Sequence, residues 1–275
     1  SGSLNLSGNL VNNGTINASQ GTVNFVGAVN STISGSGTTT LNNVTVNKDP
    51  GYTVTLSKDV AVSGILNMLQ GNVTTAASPN GLLTLGTSST VPGTLTWTSG
   101  NIVGPFRRYF ASSATSGDAG LFPVGTAAYQ RYAKVDFTAS PGTDQTLTAW
   151  YKTGAPSSNG ATLYNGLPLS IAGATVQNYS ADGYWQIDPT GGSYSASIAS
   201  ATYDITLYAN ALAGMTTPSI CRIIKSPGSN TSASNHVVWQ ATGGTHTAIA
   251  TGTSASAFAI TNTGITGFSW FNVGS

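Results

Sequence analysis

The chain has 275 residues, 39% hydrophobic and only 6% charged, with nine Lys or Arg against eight acids and a net charge of +1. So near-neutral a balance, with its basic residues scattered, excludes a nucleic-acid footprint built from clustered Lys and Arg. No apolar run reaches the roughly 18 residues that a membrane helix needs.

Every acid is Asp, and Gly, Ser, Thr, Asn and Ala stand where helices draw on Glu, Lys and Leu. Thr, Val, Ile and aromatic residues suit a pleated surface, so the expected fold class is all-β. No secretion leader is visible ahead of Ser1, and the expectation is a mature, processed chain.

From the start, short rungs follow one another: Ser3-Leu4-Asn5-Leu6, Gly14-Thr15-Ile16-Asn17, Gly21-Thr22-Val23-Asn24-Phe25 and Thr40 to Val46. A loose repeat runs through them. Gly2-Ser3-Leu4-Asn5 leads to Gly8-Asn9-Leu10, Gly64-Ile65-Leu66-Asn67 to Gly71-Asn72-Val73, and Gly93-Thr94-Leu95-Thr96 to Gly100-Asn101-Ile102. Four- to six-residue strands punctuated by Gly and Asn suit the coils of a β-solenoid, or β-helix, with small inward Val, Ile and Leu. A meander of hairpins is the alternative, because Gly-Asn also closes tight hairpins.

Only Phe25, Tyr52 and Trp97 are aromatic before Gly104, and all the other rings follow it. That shift divides the chain into a solenoid-like region, 1–103, and an aromatic-rich antiparallel β-sandwich, 104–275. Predicted strands of the second region are 133–137, 145–151, 183–187, 203–208, 220–225, 237–240, 257–260 and 268–273. Tyr203, Ile205 and Leu207 alternate with Asp204 and Thr206 at the period of a half-buried strand. Cys221, the one cysteine, sits in the apolar run Ile220 to Ile224 and reads as a small buried hydrophobe.

Chemistry is hard to find. Asp182 and Asp188 bracket Tyr184-Trp185, but six residues of extended strand separate them by about 20 Å, against about 5–9.5 Å for a glycosidase pair. They read as turn-capping residues. His236 and His246 have no Cys or Asp at metal-ligand spacing, and neither a Gly-x-Ser-x-Gly elbow nor a phosphate-binding loop occurs. The expectation is a protein that is not an enzyme and holds no cofactor or metal. Trp150, Tyr151, Tyr184, Trp185 and Trp239 are candidate glycan contacts, weighed against their filling the sandwich core.

Gly104-Pro105-Phe106-Arg107-Arg108-Tyr109-Phe110, Phe122-Pro123-Val124-Gly125-Thr126, Gly183-Tyr184-Trp185-Gln186-Ile187 and Gly264 to Gly274, with the repeats ahead of them, carry a resemblance. Together they resemble modules of the large secreted and cell-surface β-rich proteins of the Bacteroidota exported by type IX secretion. The resemblance implies an extracellular or cell-surface location. It specifies no reaction, since such proteins include adhesins, fibre components and accessory modules of exoenzymes.

A solenoid needs capped ends, because an open terminal rung exposes unpaired backbone and apolar side chains. Here the first charge along the chain is Lys48, so the opening rungs lack charged gatekeepers. Leu4, Leu6, Leu10, Val11 and Ile16 are therefore the candidate assembly edge, completed by another copy through stacking or strand donation. The functional expectation is an extracellular structural protein, the subunit of a homopolymeric fibre or surface layer. The alternative is an adhesin or carbohydrate-binding module that contacts surface glycans. No nucleic acid and no membrane insertion are expected.

Overall fold

A computed structural model describes residues 2–110, 120–138, 146–154, 166–189, 201–226, 239–247 and 256–275. The fold is all-β, a parallel β-solenoid that runs into antiparallel sheets. This agrees with the solenoid reading; among residues 2–110 every ladder between named strands is parallel, which the hairpin alternative would not give.

Each coil of the solenoid carries three strands, one on each of three faces. The first coil holds β1 (Ser3–Leu6), β2 (Leu10–Val11) and β3 (Ile16–Asn17), and the second β4 (Thr22–Gly27), β5 (Ser31–Ser34) and β6 (Thr39–Leu41). In the third come β7 (Asn43–Lys48), β8 (Thr53–Leu56) and β9 (Val60–Val62); in the fourth β10 (Ile65–Gln70), β11 (Asn72–Thr74) and β12 (Leu83–Leu85). The fifth has β13 (Thr94–Trp97), β14 (Ile102–Val103) and β15 (Phe106–Tyr109). Register stacks like on like. Leu4, Val23, Val44, Leu66 and Leu95 form one inward column, and Leu6, Phe25, Val46, Met68 and Trp97 the next.

The corners explain the Gly-Asn pairs. Asn9 Oδ1 accepts the amide of Thr32 one coil on, Asn13 that of Ser36, Asn30 that of Thr53, Asn43 that of Ile65 and Asn72 that of Asn101, at 2.8–3.2 Å. Where the backbone turns and leaves the ladder, its donors are thus met by a side chain of the coil before. Gly71 and Gly100 both have positive φ, and a Cβ on Gly100 would lie 1.9 Å from the Gly71 carbonyl. The stacked corners approach too closely for any side chain.

The antiparallel strands are β16 (Gly120–Phe122), β17 (Ala133–Phe137), β18 (Thr146–Thr153), β19 (Leu169–Ile171), β20 (Ala174–Val176), β21 (Gly183–Pro189) and β22 (Thr202–Asn210). After them come β23 (Arg222–Ser226), β24 (Gln240–Ala241), β25 (Thr245–His246), β26 (Ala257–Thr266) and β27 (Trp270–Gly274). One sheet of five runs β16-β17-β22-β26-β25. The facing sheet is not separate from the solenoid: its third face continues as β3-β6-β9-β12-β15-β18-β21-β27-β23-β24. β15 is the hinge of that sheet, parallel to β12 and antiparallel to β18. The shift in composition at 103/104 thus falls one strand before the solenoid ends, because Phe106 and Arg108 still complete inward columns begun by Val60–Leu83 and Leu41–Val62–Leu85.

Core follows sheet. Buried residues from Phe25 and Ile33 through Phe106 and Phe122 to Trp185, Tyr203, Phe258 and Val273 form one continuous cluster. A second, smaller cluster covers the other side of the long sheet: the β19–β20 hairpin lays Ile171 and Val176 over Tyr184, Ile224 and Trp239.

Candidate functional site

The first coil is the end of all three solenoid sheets. β1 pairs only β4, β2 only β5 and β3 only β6 among the described residues, so each has one edge without a ladder partner. Leu6, Leu10 and Ile16 are half-buried and pack on the core. Leu4, in an inward column whose later members Val44 and Leu66 are buried, is 50% exposed, with no described strand beneath it. Val11 differs from the other four. It pairs with Ser34, outside the inward column, and its 63% exposure is that of an outward-facing residue. Beside β1 a groove of about 310 Å³ is lined by Gly2 to Leu4, Ala18, Gln20 to Val23, Asn42 and Asn43.

The far end of the solenoid is different. On the second face the segment after β16 continues the stack, the Ile102 amide donating to Pro123 O at 2.8 Å and the Gly125 amide to Ile102 O at 3.2 Å. Asn72 and Asn101 each donate through Nδ2 to the same connection, at Ala127 O and Thr126 O. On the third face β15 passes to β18. Among the described residues β13, on the first face, has no further ladder partner there; its last residue, Trp97, meets Tyr132 edge-on at 5.7 Å.

Four of the five candidate glycan contacts are corrected by their burial. Tyr151 and Trp185 face the sandwich core in edge-to-face contact at 5.0 Å, and the Trp185 indole donates to Arg131 O. Tyr184 points the other way, as alternation requires, but the β19–β20 hairpin and Trp270 cover it; Trp239, at 1% exposure, lies under the same hairpin. A strand with both faces covered offers no ring to solvent. Trp150 alone is half-exposed, with the Lys152 ammonium 4.7 Å from its ring centroid. These rings do not form a platform.

Several titratable groups make contacts within the fold. The Asp182 carboxylate accepts the Ala213 amide, whereas Asp188 does not cap a turn: it lies within β21, opposite Thr148, and accepts from Gln186 Nε2. Burial raises the Asp188 pKa, partly offset by the Gln186 hydrogen bond and by Lys152. His246 is pushed down to about 4, first by burial and then by Arg222. Cys221 is buried with its thiol raised to about 11 by burial, which keeps it protonated and fits the small-hydrophobe reading. Arg108 closes an inward column at the solenoid–sandwich junction, donates to Leu121 O and lies 5.9 and 6.0 Å from the Phe110 and Phe122 ring centroids; burial lowers it to about 10.

No group of three metal-ligating side chains occurs among the described residues, and no helix there is long and apolar enough to cross a membrane. Asp118, Asp144 and His236 lie outside those residues, as do Val237 and Val238 of the predicted strand before Gln240. No family model, curated protein or solved structure matches this chain.

Proposed function

We propose that the chain is an extracellular structural protein whose subunits join into a fibre or surface layer by β-strand pairing on the open edge of the first coil. One observation carries this reading: β1, β2 and β3 each end their sheet, and the inward-facing Leu4 is half exposed there. Unpaired amides and carbonyls on three neighbouring edges are a template for another β-edge. The charge-free stretch before Lys48 adds no repulsion between two such edges. The resemblance to modules of Bacteroidota surface proteins supports the location.

Assembly is tested by sedimentation velocity and negative-stain microscopy across a concentration series, on the unaltered chain and on Ser3→Lys/Asn5→Lys. Both positions are exposed, so the lysines blunt the edge without entering the core. Threads that form with rising concentration and disappear in the lysine variant are the expected result. An unaltered chain that stays monomeric at high concentration overturns self-assembly, and leaves the edge as a place for a further coil of one longer polypeptide.

A further inference from the structure

Asparagine is thermolabile, above all before glycine, which has no side chain to keep its nitrogen from the asparagine Cγ. Attack there expels ammonia and closes a succinimide, and water opens that ring to aspartate or isoaspartate. The nitrogen must first give up its proton, so a hydrogen bond that it donates stands in the way. Four Asn-Gly pairs occur, at Asn13, Asn80, Asn159 and Asn165. Both residues of the first two pairs are among those described.

At each of these two pairs a side-chain oxygen takes the glycine amide. Gly14 N donates to Asn12 Oδ1 at 3.0 Å, and Asn12 is buried, its Nδ2 donating to Thr38 O and Thr39 Oγ1 of the next coil. Gly81 N donates at 3.2 Å to Oδ1 of Asp59, which reaches across from the preceding coil. The same oxygen accepts the Leu82 amide at 2.9 Å, and Oδ2 accepts the Ser78 hydroxyl. The asparagines themselves differ. Asn13 Oδ1 accepts the Ser36 amide at 3.2 Å, which fixes its side chain; Asn80 is exposed, in a turn that its own amide closes on Ala77 O at 2.9 Å. Nor can another residue replace the glycine here. Gly81 has a φ of +138°, and a Cβ on it would lie 2.3 Å from Leu56 O.

We propose that Asn80–Gly81 is a latent deamidation site, and that Asp59 keeps it closed by holding the proton of the attacking nitrogen. The carboxylate charge adds to the effect, because a neighbouring anion opposes loss of that proton. At Asn13 the neutral oxygen of Asn12 holds the nitrogen, and Ser36 holds the side chain under attack. An isoaspartate at position 80 would add a methylene to the main chain one residue before the close contact of Gly81 with Leu56 O, so the corner that Asp59 caps is also the corner it preserves. This is a property of the single chain and does not depend on assembly.

Peptide mapping by mass spectrometry tests this on the whole chain, incubated at neutral pH and physiological temperature beside a synthetic peptide of residues 77–84. Asn80 in the folded chain should convert about tenfold or more slowly than in the peptide. Asp59→Ala should recover most of that factor. Asp59→Asn keeps an oxygen for the Gly81 amide without the charge, so it should give a smaller acceleration even if Asp59→Ala disturbs the corner. Ser78→Ala removes a different bond of the same corner and should change the rate by less than about twofold. Equal rates in the folded chain and the peptide, or a rate unmoved by either Asp59 variant, overturn the proposal. So does Ser78→Ala acting as strongly as Asp59→Ala, since a loosened corner would then be the cause.

Discussion

At the scale of the residue, the corner asparagines and one histidine make separate claims. Asn72 ties two ways, its Oδ1 taking the Asn101 amide at 2.8 Å and its Nδ2 reaching Ala127 O at 3.0 Å. Asn30 makes the single corner bond to Thr53 at 3.0 Å. Asn30→Ala should cost about 1 kcal/mol and Asn72→Ala about twice that, a ranking that chemical denaturation checks. His246 predicts a pH dependence. Its folded pKa of about 4 lies below the ordinary 6.5, so the unfolded chain takes up a proton that the folded chain refuses. The neutral ring's contribution is complete above pH 6.5 and is lost as pH falls towards 4, amounting to at most about 3 kcal/mol. His246→Gln should flatten the slope of stability in that window; an unchanged slope would show that other groups set it.

At the scale of the element, the β19–β20 hairpin has the largest effect on what the surface offers. By covering Tyr184 and Trp239 it turns an aromatic strand face into a second small core. Trp239→Ala should therefore destabilise by about 3–5 kcal/mol, whereas Trp150→Ala, on the half-exposed side, should cost far less; thermal melts of the two variants separate the cases. This is also where sequence reasoning stops. The Gly-Asn corners, the alternation in Tyr203 to Leu207 and the break in aromatic content near Gly104 are local signals, and they made the solenoid and the longer sandwich strands legible. β16, β19–β20 and β25 are two or three residues long, too short to carry a period. Alternation told that Tyr184 and Trp185 face opposite ways, but a single strand cannot tell which of its faces a distant hairpin will cover.

For the whole molecule, the ten-stranded sheet and the unbroken core give the two regions a shared fate. Leu85 is fully buried in the column that ends at Arg108. Leu85→Ala should cost about 2–5 kcal/mol and should lower the unfolding midpoints of solenoid and sandwich together. Hydrogen exchange read by mass spectrometry on peptides of each region, across a denaturant series, would report solenoid and sandwich separately. Midpoints that separate would show two independent folding units instead.

The ladder bonds between coils lie along the stacking direction, and the β15–β18 ladder carries the same sheet on into the sandwich. Tension applied along that axis would peel the rungs apart one after another, each freeing roughly 70 Å of slack for a rung of about 20 residues. Such a molecule yields in small steps under load, as a brake does rather than a rigid tether.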